Sequence, residues 1–313
     1  MNLSRSWDRI LTSRKIAFAL FLLPGTIFFV ALVIYPVFSS FGYSLYSWNG
    51  LEREAFVGLD NFRTVFASDN PISARFWNAA GHNAYSLIFV VAFQSTVGFA
   101  FALMLFQELP GTKFFRALLF LPVTLSIVVV GFLFSLLLHP SWGMINAAIR
   151  LIGDPEFAFP WLGDPRTALT TILLINIWQW AGFPTLIFLS GLNNIPQPII
   201  EAAKLDGVSG FHRIKDIYLP LIVPQLLTVL ILTIAGNLRM FDIVYSLTGP
   251  TGGPNYATDV LGTLFYRTAF GGITGLADKG LGATIGIVIV VATAVISLGV
   301  NRLLDKKRVQ LEG

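Results

Sequence analysis

Six apolar runs, each about long enough to cross a lipid bilayer, constrain this chain more than any other feature. They cover residues 16–38, 84–106, 117–138, 168–192, 219–238 and 281–303, and none carries a charge at its centre. A hydrocarbon core of ~30 Å takes ~20 residues at a rise of ~1.5 Å each. Within it every backbone N–H and C=O needs a partner, which a helix supplies internally. The composition agrees. With 55% apolar residues, 12% charged and a mean hydropathy of +0.72, the 313 residues hold too little charge to cover a soluble surface. The expectation is an all-α integral membrane protein with six transmembrane helices, residues 1–313 forming one membrane domain. The first run exceeds the apolar part of a signal peptide and lacks a small-x-small cleavage site, so it reads as an uncleaved span. Pro24, Pro36, Pro122, Pro184 and Pro224 fall in or at the ends of spans, where neighbouring helices can satisfy a freed carbonyl.

The loops set the orientation. Alternate loops and the two ends hold Arg5, Arg9, Arg14 and Lys15; Lys113 and Arg116; Lys204, Arg213 and Lys215; and Arg302, Lys306, Lys307 and Arg308. These are thirteen of the 21 basic residues, against seven spread over the much longer loops of the other side. The positive-inside rule places the basic-rich set, both termini included, in the cytoplasm. The remaining loops, 39–83, 139–167 and 242–280, are external on this reading; the last contains the turn-dense "LTGPTGGPNYATD".

Several functions are excluded at this level. The chain has no cysteine, hence no disulfide, thiolate metal site or cysteine nucleophile. His82, His139 and His212 lie in different segments, so no metal centre is expected. There is no G-x(4)-G-K-[ST] phosphate loop. The net charge of +4 is spread over span ends rather than gathered in one patch, so nucleic acid is not an expected partner. No acid–base pair or nucleophile-and-base set falls within reach of one site, which argues against a membrane enzyme. No internal repeat or mid-span acid supports a self-sufficient secondary transporter, the alternative reading.

One charged stretch interrupts the hydrocarbon pattern: "EAAKLDGVSGFHRIKDIYLPLIVP", from Glu201. It reads as two short helices within a cytoplasmic loop at 193–218. The first starts after Pro198, holds Glu201 in an early turn and ends at Gly207; Ser209 caps the second. Ala202 and Ala203 leave a small-residue face that can enter a groove closely. On the residues alone the loop reads equally well as an interfacial segment held by its own caps and by lipid head groups.

The stretch resembles the E-A-A-x(3)-G-x(9)-I-x-L-P signature of membrane subunits of binding-protein-dependent ATP-binding-cassette importers. Glu201, Ala202, Ala203, Gly207, Ile217, Leu219 and Pro220 fill every position. "FVGLDNFRTVF" and "FDIVYSLTGPTGGPNYATDVLGTLFYRTAF" are similar to the carbohydrate, maltose-type branch. The resemblance implies a type I importer permease core (MetI-like) in a bacterial inner membrane. It further implies a heterodimer with a second permease subunit, two ATPase subunits that bind the ATP, and an extracytoplasmic solute-binding protein. The chain then needs no cofactor of its own. Glu201, Ala202, Ala203 and Gly207 become the elements that dock on the ATPase, with Arg213 and Lys215 as flanking charges.

Polar and aromatic residues near mid-span offer a solute path. The fourth span holds Asn176, Trp178, Gln179, Trp180 and Thr185; the fifth holds Thr233, Asn237, Arg239 and Asp242. Aromatic faces stack on sugar C–H surfaces and amides bond hydroxyls in both directions. The same residues also read as an interfacial belt, as helix–helix joints, or, for Arg239 and Asp242, as an ion pair. Matched to the maltose-type branch, the sugar-holding positions are Ala181, Gly182 and Thr185, with Thr233, Gly236, Asn237 and Met240. Asn237 keeps that branch's residue; Thr185 and Met240 depart from it, so the solute class, not maltose, is what carries over.

Overall fold

The computed structural model describes residues 14–50, 52–67, 69–107, 110–271 and 277–312. Arg5 and Arg9 of the expected cytoplasmic N-terminus lie outside them. Helices occupy all six apolar runs, and three of them are interrupted.

The first run is α1 (Arg14–Phe29), a π-turn at Val30–Ile34 and α2 (Tyr35–Ser44), which together form one apolar rod from Phe18 to Ser44. Pro36 lacks an N–H, and the wider π-turn just before it accommodates that loss without a break. A hairpin follows, β1 (Tyr46–Asn49) against β2 (Glu52–Phe56), antiparallel with Trp48 opposite Arg53 and Gly50 at φ +61° in the turn. This small sheet departs from the all-helical expectation; a two-strand ribbon inside a long loop carries too little pattern to be read. Next come α3 (Asp60–Phe66) and α4 (Pro71–Phe106), a straight helix of 36 residues that starts well before the apolar run it contains.

The third run is α5 (Thr112–Thr124) and α6 (Ile127–Leu137), bent by 98° at the extended residues Leu125 and Ser126, three residues past Pro122. Helix α7 (Met144–Ile152) lies in the following loop. The fourth run is α8 (Ala168–Trp180) and α9 (Gly182–Asn193), bent by 46°. The charged stretch forms α10 (Gln197–Leu205), α11 (Gly210–Arg213), a π-turn at Ile214–Tyr218 and the short α12 (Leu219–Leu221). Helix α13 (Val223–Leu238) then leaves at 74° to that segment. The chain ends with α14 (Asp242–Thr248), α15 (Leu261–Phe270) and α16 (Lys279–Glu312). Among the described residues three helices are long and apolar enough to cross a membrane, and six spans result if each bent pair is one.

Two glutamines repair the breaks. Pro184 cannot donate to the carbonyl of Trp180, and Gln94 on α4 reaches that carbonyl with Nε2 at 3.5 Å. The carbonyl of Leu125, at the 98° bend, accepts from Nε2 of the buried Gln179 on α8 at 3.2 Å. Backbone freed in a membrane helix must be satisfied by a neighbour, and these side chains do it. Close packing at the same places needs glycine: a Cβ on Gly98 would sit 2.8 Å from the Pro184 ring, and one on Gly182 2.6 Å from the Leu119 carbonyl.

Three buried clusters hold the helices together. One surrounds Ile172, Leu173, Val130 and Val244; a second surrounds Phe188, Leu192, Tyr218 and Ile222; the third joins Val65, Phe76, Leu264 and Ile285. The apolar window of the rod Phe18–Ser44 holds no buried residue, although its second half, α2, packs along α16.

Candidate functional site

The charged stretch folds into a rigid knuckle. Helix α10 begins at Gln197, after Pro196, so Glu201 lies in its second turn and not at its start. Its end is a Schellman turn: Gly207 takes φ +72°, the Val208 N–H donates to the Ala203 carbonyl at 2.9 Å, and the Gly207 N–H donates to the Lys204 carbonyl at 3.2 Å. The Arg213 guanidinium closes the loop, with Nε and Nη2 donating to the Val208 carbonyl at 3.1 and 2.8 Å. Arg213 is therefore a brace within the loop. Ser209 has the extended backbone of a cap but makes no side-chain capping bond.

The faces of α10 divide cleanly. Ile200 and Ala203 are both buried, and Ile200 belongs to the second cluster. Ala203 thus faces its own bundle, while Glu201, Ala202 and Gly207 face outward. Beside them stand two apolar side chains that the motif does not include, Leu205 at 89% exposure and Phe211 at 71%.

The second constellation is a cavity of about 330 Å³ gathered where three helices are interrupted. Ile127 opens α6 after its bend, Trp180, Phe183 and Pro184 flank the break between α8 and α9, and Arg239 to Ile243 join α13 to α14. Polar groups enter it from four helices and the junction: Gln94, Asn176, Thr233, Asn237, Arg239 and Asp242. Irregular backbone at membrane depth is tolerated where it lines such a space. The Asn237 Oδ1 is buried there without a partner, while the Asn237 carbonyl accepts from Asn83 Nδ2 at 3.4 Å. Arg239 and Asp242 are both exposed and form no ion pair with each other among the described residues.

Of the seven path positions expected from sequence, Thr233, Gly236, Asn237 and Met240 line this cavity. The other three do not. Ala181 is buried, Gly182 packs on Leu119, and the fully buried Thr185 hydroxyl donates to the Ala181 carbonyl at 2.7 Å. The physical reason is the 46° bend, which turns the backbone of "AGFPT" toward α4 and α5 and leaves Phe183 and Pro184 at the cavity. Trp178 packs edge-on to Phe134, and Gln179 serves the broken ladder. Sequence reasoning missed Gln94, Phe183 and Phe241; a glutamine in the middle of an otherwise apolar span was the available signal for Gln94.

The turn-dense loop is tied to α4 and α15. Asp259, wholly buried, accepts from Arg267 at 2.6 and 3.2 Å and from the Thr263 hydroxyl at 2.6 Å. Tyr256 lies between Arg75 and Arg267, whose guanidinium carbons are 4.7 and 5.2 Å from its ring centre. A hydrogen bond with Tyr266 raises the Tyr245 phenol above its usual range. In the loop before α8, the Arg166 backbone N–H holds the Asp164 carboxyl below the usual carboxylate range.

Residues 94–310 match the family described as the binding-protein-dependent transport system inner membrane component. A trehalose/maltose transport system permease protein from Thermococcus litoralis is 33% identical over 90% of this chain and 92% of its own length. A lactose transport system permease protein from Rhizobium radiobacter is 31% identical over 89% and 90%. Among solved structures, a chain of a bacterial alginate ABC transporter in complex with an alginate pentasaccharide-bound periplasmic protein superposes with a TM-score of 0.79 at 26% identity, over 97% of both chains. With its interrupted helices, a polar cavity at their breaks and an intact E-A-A loop, the chain belongs to the family of binding-protein-dependent transport system inner membrane components.

Proposed function

We propose that this chain is the membrane-spanning subunit of an importer that takes a sugar or related polyhydroxylated solute from a binding protein and passes it inward, driven by ATP hydrolysis on a separate subunit. Supporting this are the relatives whose names specify trehalose/maltose and lactose transport, and the alginate transporter with its oligosaccharide-loaded periplasmic protein. The observation that carries the solute class is the cavity. It pairs ring faces, Trp180 and Phe241, with amides from three helices, and one amide oxygen, Asn237 Oδ1, lacks a donor that a solute hydroxyl can supply.

Coupling is proposed to run through α10. The outward face of the knuckle combines Glu201, Ala202 and the exposed Leu205 of α10 with the exposed Phe211 of α11, the mixture of apolar anchor and charge that suits a groove on a partner protein. On the inward face Ile200 joins the knuckle to the cluster containing Phe188 and Val229, so a rigid displacement reaches α9 and α13. The knuckle and both termini are placed in the cytoplasm on the basic-residue bias. A second permease subunit completes the path, which the exposed apolar window of the rod Phe18–Ser44 supports by offering a surface to a neighbour beyond the packing of α2 on α16.

The test is reconstitution of the complete transporter in liposomes. Asn237→Ala should slow uptake roughly 2–10-fold, the value of about one hydrogen bond of 0.5–1.5 kcal/mol, with assembly intact. Uptake at the unaltered rate would remove Asn237 from the path.

A further inference from the structure

Helix α7 is inside out by the standards of a water-exposed helix. Its polar side chains point inward: Asn146, fully buried, donates to the carbonyls of Pro140 and Phe159 at 2.9 Å each and accepts from Trp161 Nε1 at 2.7 Å. Its one charge, Arg150, is also spent internally, donating to the carbonyls of Phe157 and Ser141 at 2.9 and 3.0 Å. The outward face is Met144, Ala148, Leu151 and Ile152, spaced as one helical stripe, with Met144 67%, Leu151 87% and Ile152 89% exposed. Water on that face would be costly, at roughly 1.5–3 kcal/mol for each large side chain left unburied.

We infer that α7 lies in the plane of the membrane interface, its Met144–Leu151–Ile152 stripe dissolved among lipid acyl chains. Three observations choose lipid as the occupant. The helix starts only seven residues after α6 ends and packs on it, so the chain has no slack to carry it far from the bilayer. The span it follows also turns apolar side chains outward, Val128, Phe132 and Leu136 of α6 being exposed. Polar flanks mark the water side: Trp142 stacks on His139 before the helix, and the exposed Asp154 and Glu156 follow it. A helix with a strong apolar face and a satisfied polar face sits ~5–10 Å into the head-group boundary. There α7 braces the end of the sharply bent third span. The inference rests on membership of a membrane-component family, and not on the sugar or coupling proposals.

The absence of cysteine makes the test direct. Leu151→Cys, Ile152→Cys and, for comparison, Asp154→Cys are labelled with bimane in the complete transporter, its partner subunits freed of reactive cysteine, in phosphatidylethanolamine–phosphatidylglycerol vesicles. Phospholipid carrying an acyl-chain nitroxide should quench labels at 151 and 152 at least about two-fold more than at 154, and aqueous iodide should show the reverse order. Equal iodide quenching at all three positions overturns the inference in favour of a water-exposed helix. Protection of 151 and 152 from both quenchers overturns it in favour of a protein partner.

Discussion

Asp259 and Arg267 show how much one pair of side chains can carry in this protein. The carboxylate is fully buried and the guanidinium nearly so, and together with Thr263, His82 and the Pro250 carbonyl they tie the turn-dense loop to α4 and α15. Removing one member of a buried pair strands the other charge. Arg267→Met should therefore cost about 3–5 kcal/mol of stability, read as a lowered unfolding temperature of the detergent-solubilised complex. The double change Arg267→Met with Asp259→Leu should recover a large part of that loss. If the double variant is no more stable than the single one, the uncompensated charge is not the cause. The glutamine braces are weaker by nature. Gln179→Leu leaves the Leu125 carbonyl without that donor, at about 0.6–2 kcal/mol for a hydrogen bond within a membrane bundle, and should lower the unfolding temperature of the solubilised complex; an unchanged or raised value would remove Gln179 as a brace.

At the scale of elements, the knuckle around α10 is stiff because each of its turns is closed by a specific contact. Gly207 supplies the left-handed residue of the Schellman turn, and Arg213 fastens the chain just beyond it. Open space surrounds Gly207, so the penalty for a side chain there is conformational, about 1–2 kcal/mol, and not steric. Gly207→Leu and Arg213→Ala should both lower solute-stimulated ATP hydrolysis by the reconstituted complex while expression stays near normal. Glu201→Lys should do the same by reversing an exposed charge on the docking face. Stimulated hydrolysis at the unaltered rate in all three would sink the coupling proposal. The short polar contacts inside α7 show the same economy: the loop uses its polar groups on itself and leaves apolar groups to the surroundings.

For the whole molecule, the exposed surfaces suit the proposed assembly with partner subunits. The apolar window of the first rod is exposed, the knuckle presents apolar side chains outward, and the cavity is bordered by the exposed residues Trp180, Leu232, Arg239 and Asp242. Purified alone in liposomes, the chain should move no solute, with or without an ion gradient. Uptake should appear only when the second permease subunit, the ATPase, ATP and the loaded binding protein are all present. Gradient-driven uptake by the isolated chain would return it to the class of self-sufficient transporters.

Sequence alone sufficed for whatever depends on local composition: the apolar runs, the absence of thiol chemistry, the E-A-A stretch as an exposed charged helix, and Asn237 as a polar group of the fifth run. These are properties of contiguous residues, whose burial in lipid or exposure to water follows from their own chemistry. Tertiary structure decided what depends on direction. The 98°, 46° and 74° breaks set which side of a helix meets a neighbour, so Ala181, Gly182 and Thr185 were turned into packing while Phe183 and Gln94 reached the cavity. Ala203 was likewise drawn inward by tertiary packing, and Arg213 by a local bond to the Val208 carbonyl that the motif does not announce. Proline announces that a membrane helix can bend, but the angle, and the side chain that satisfies the opened carbonyl, are chosen by the helices packed against it.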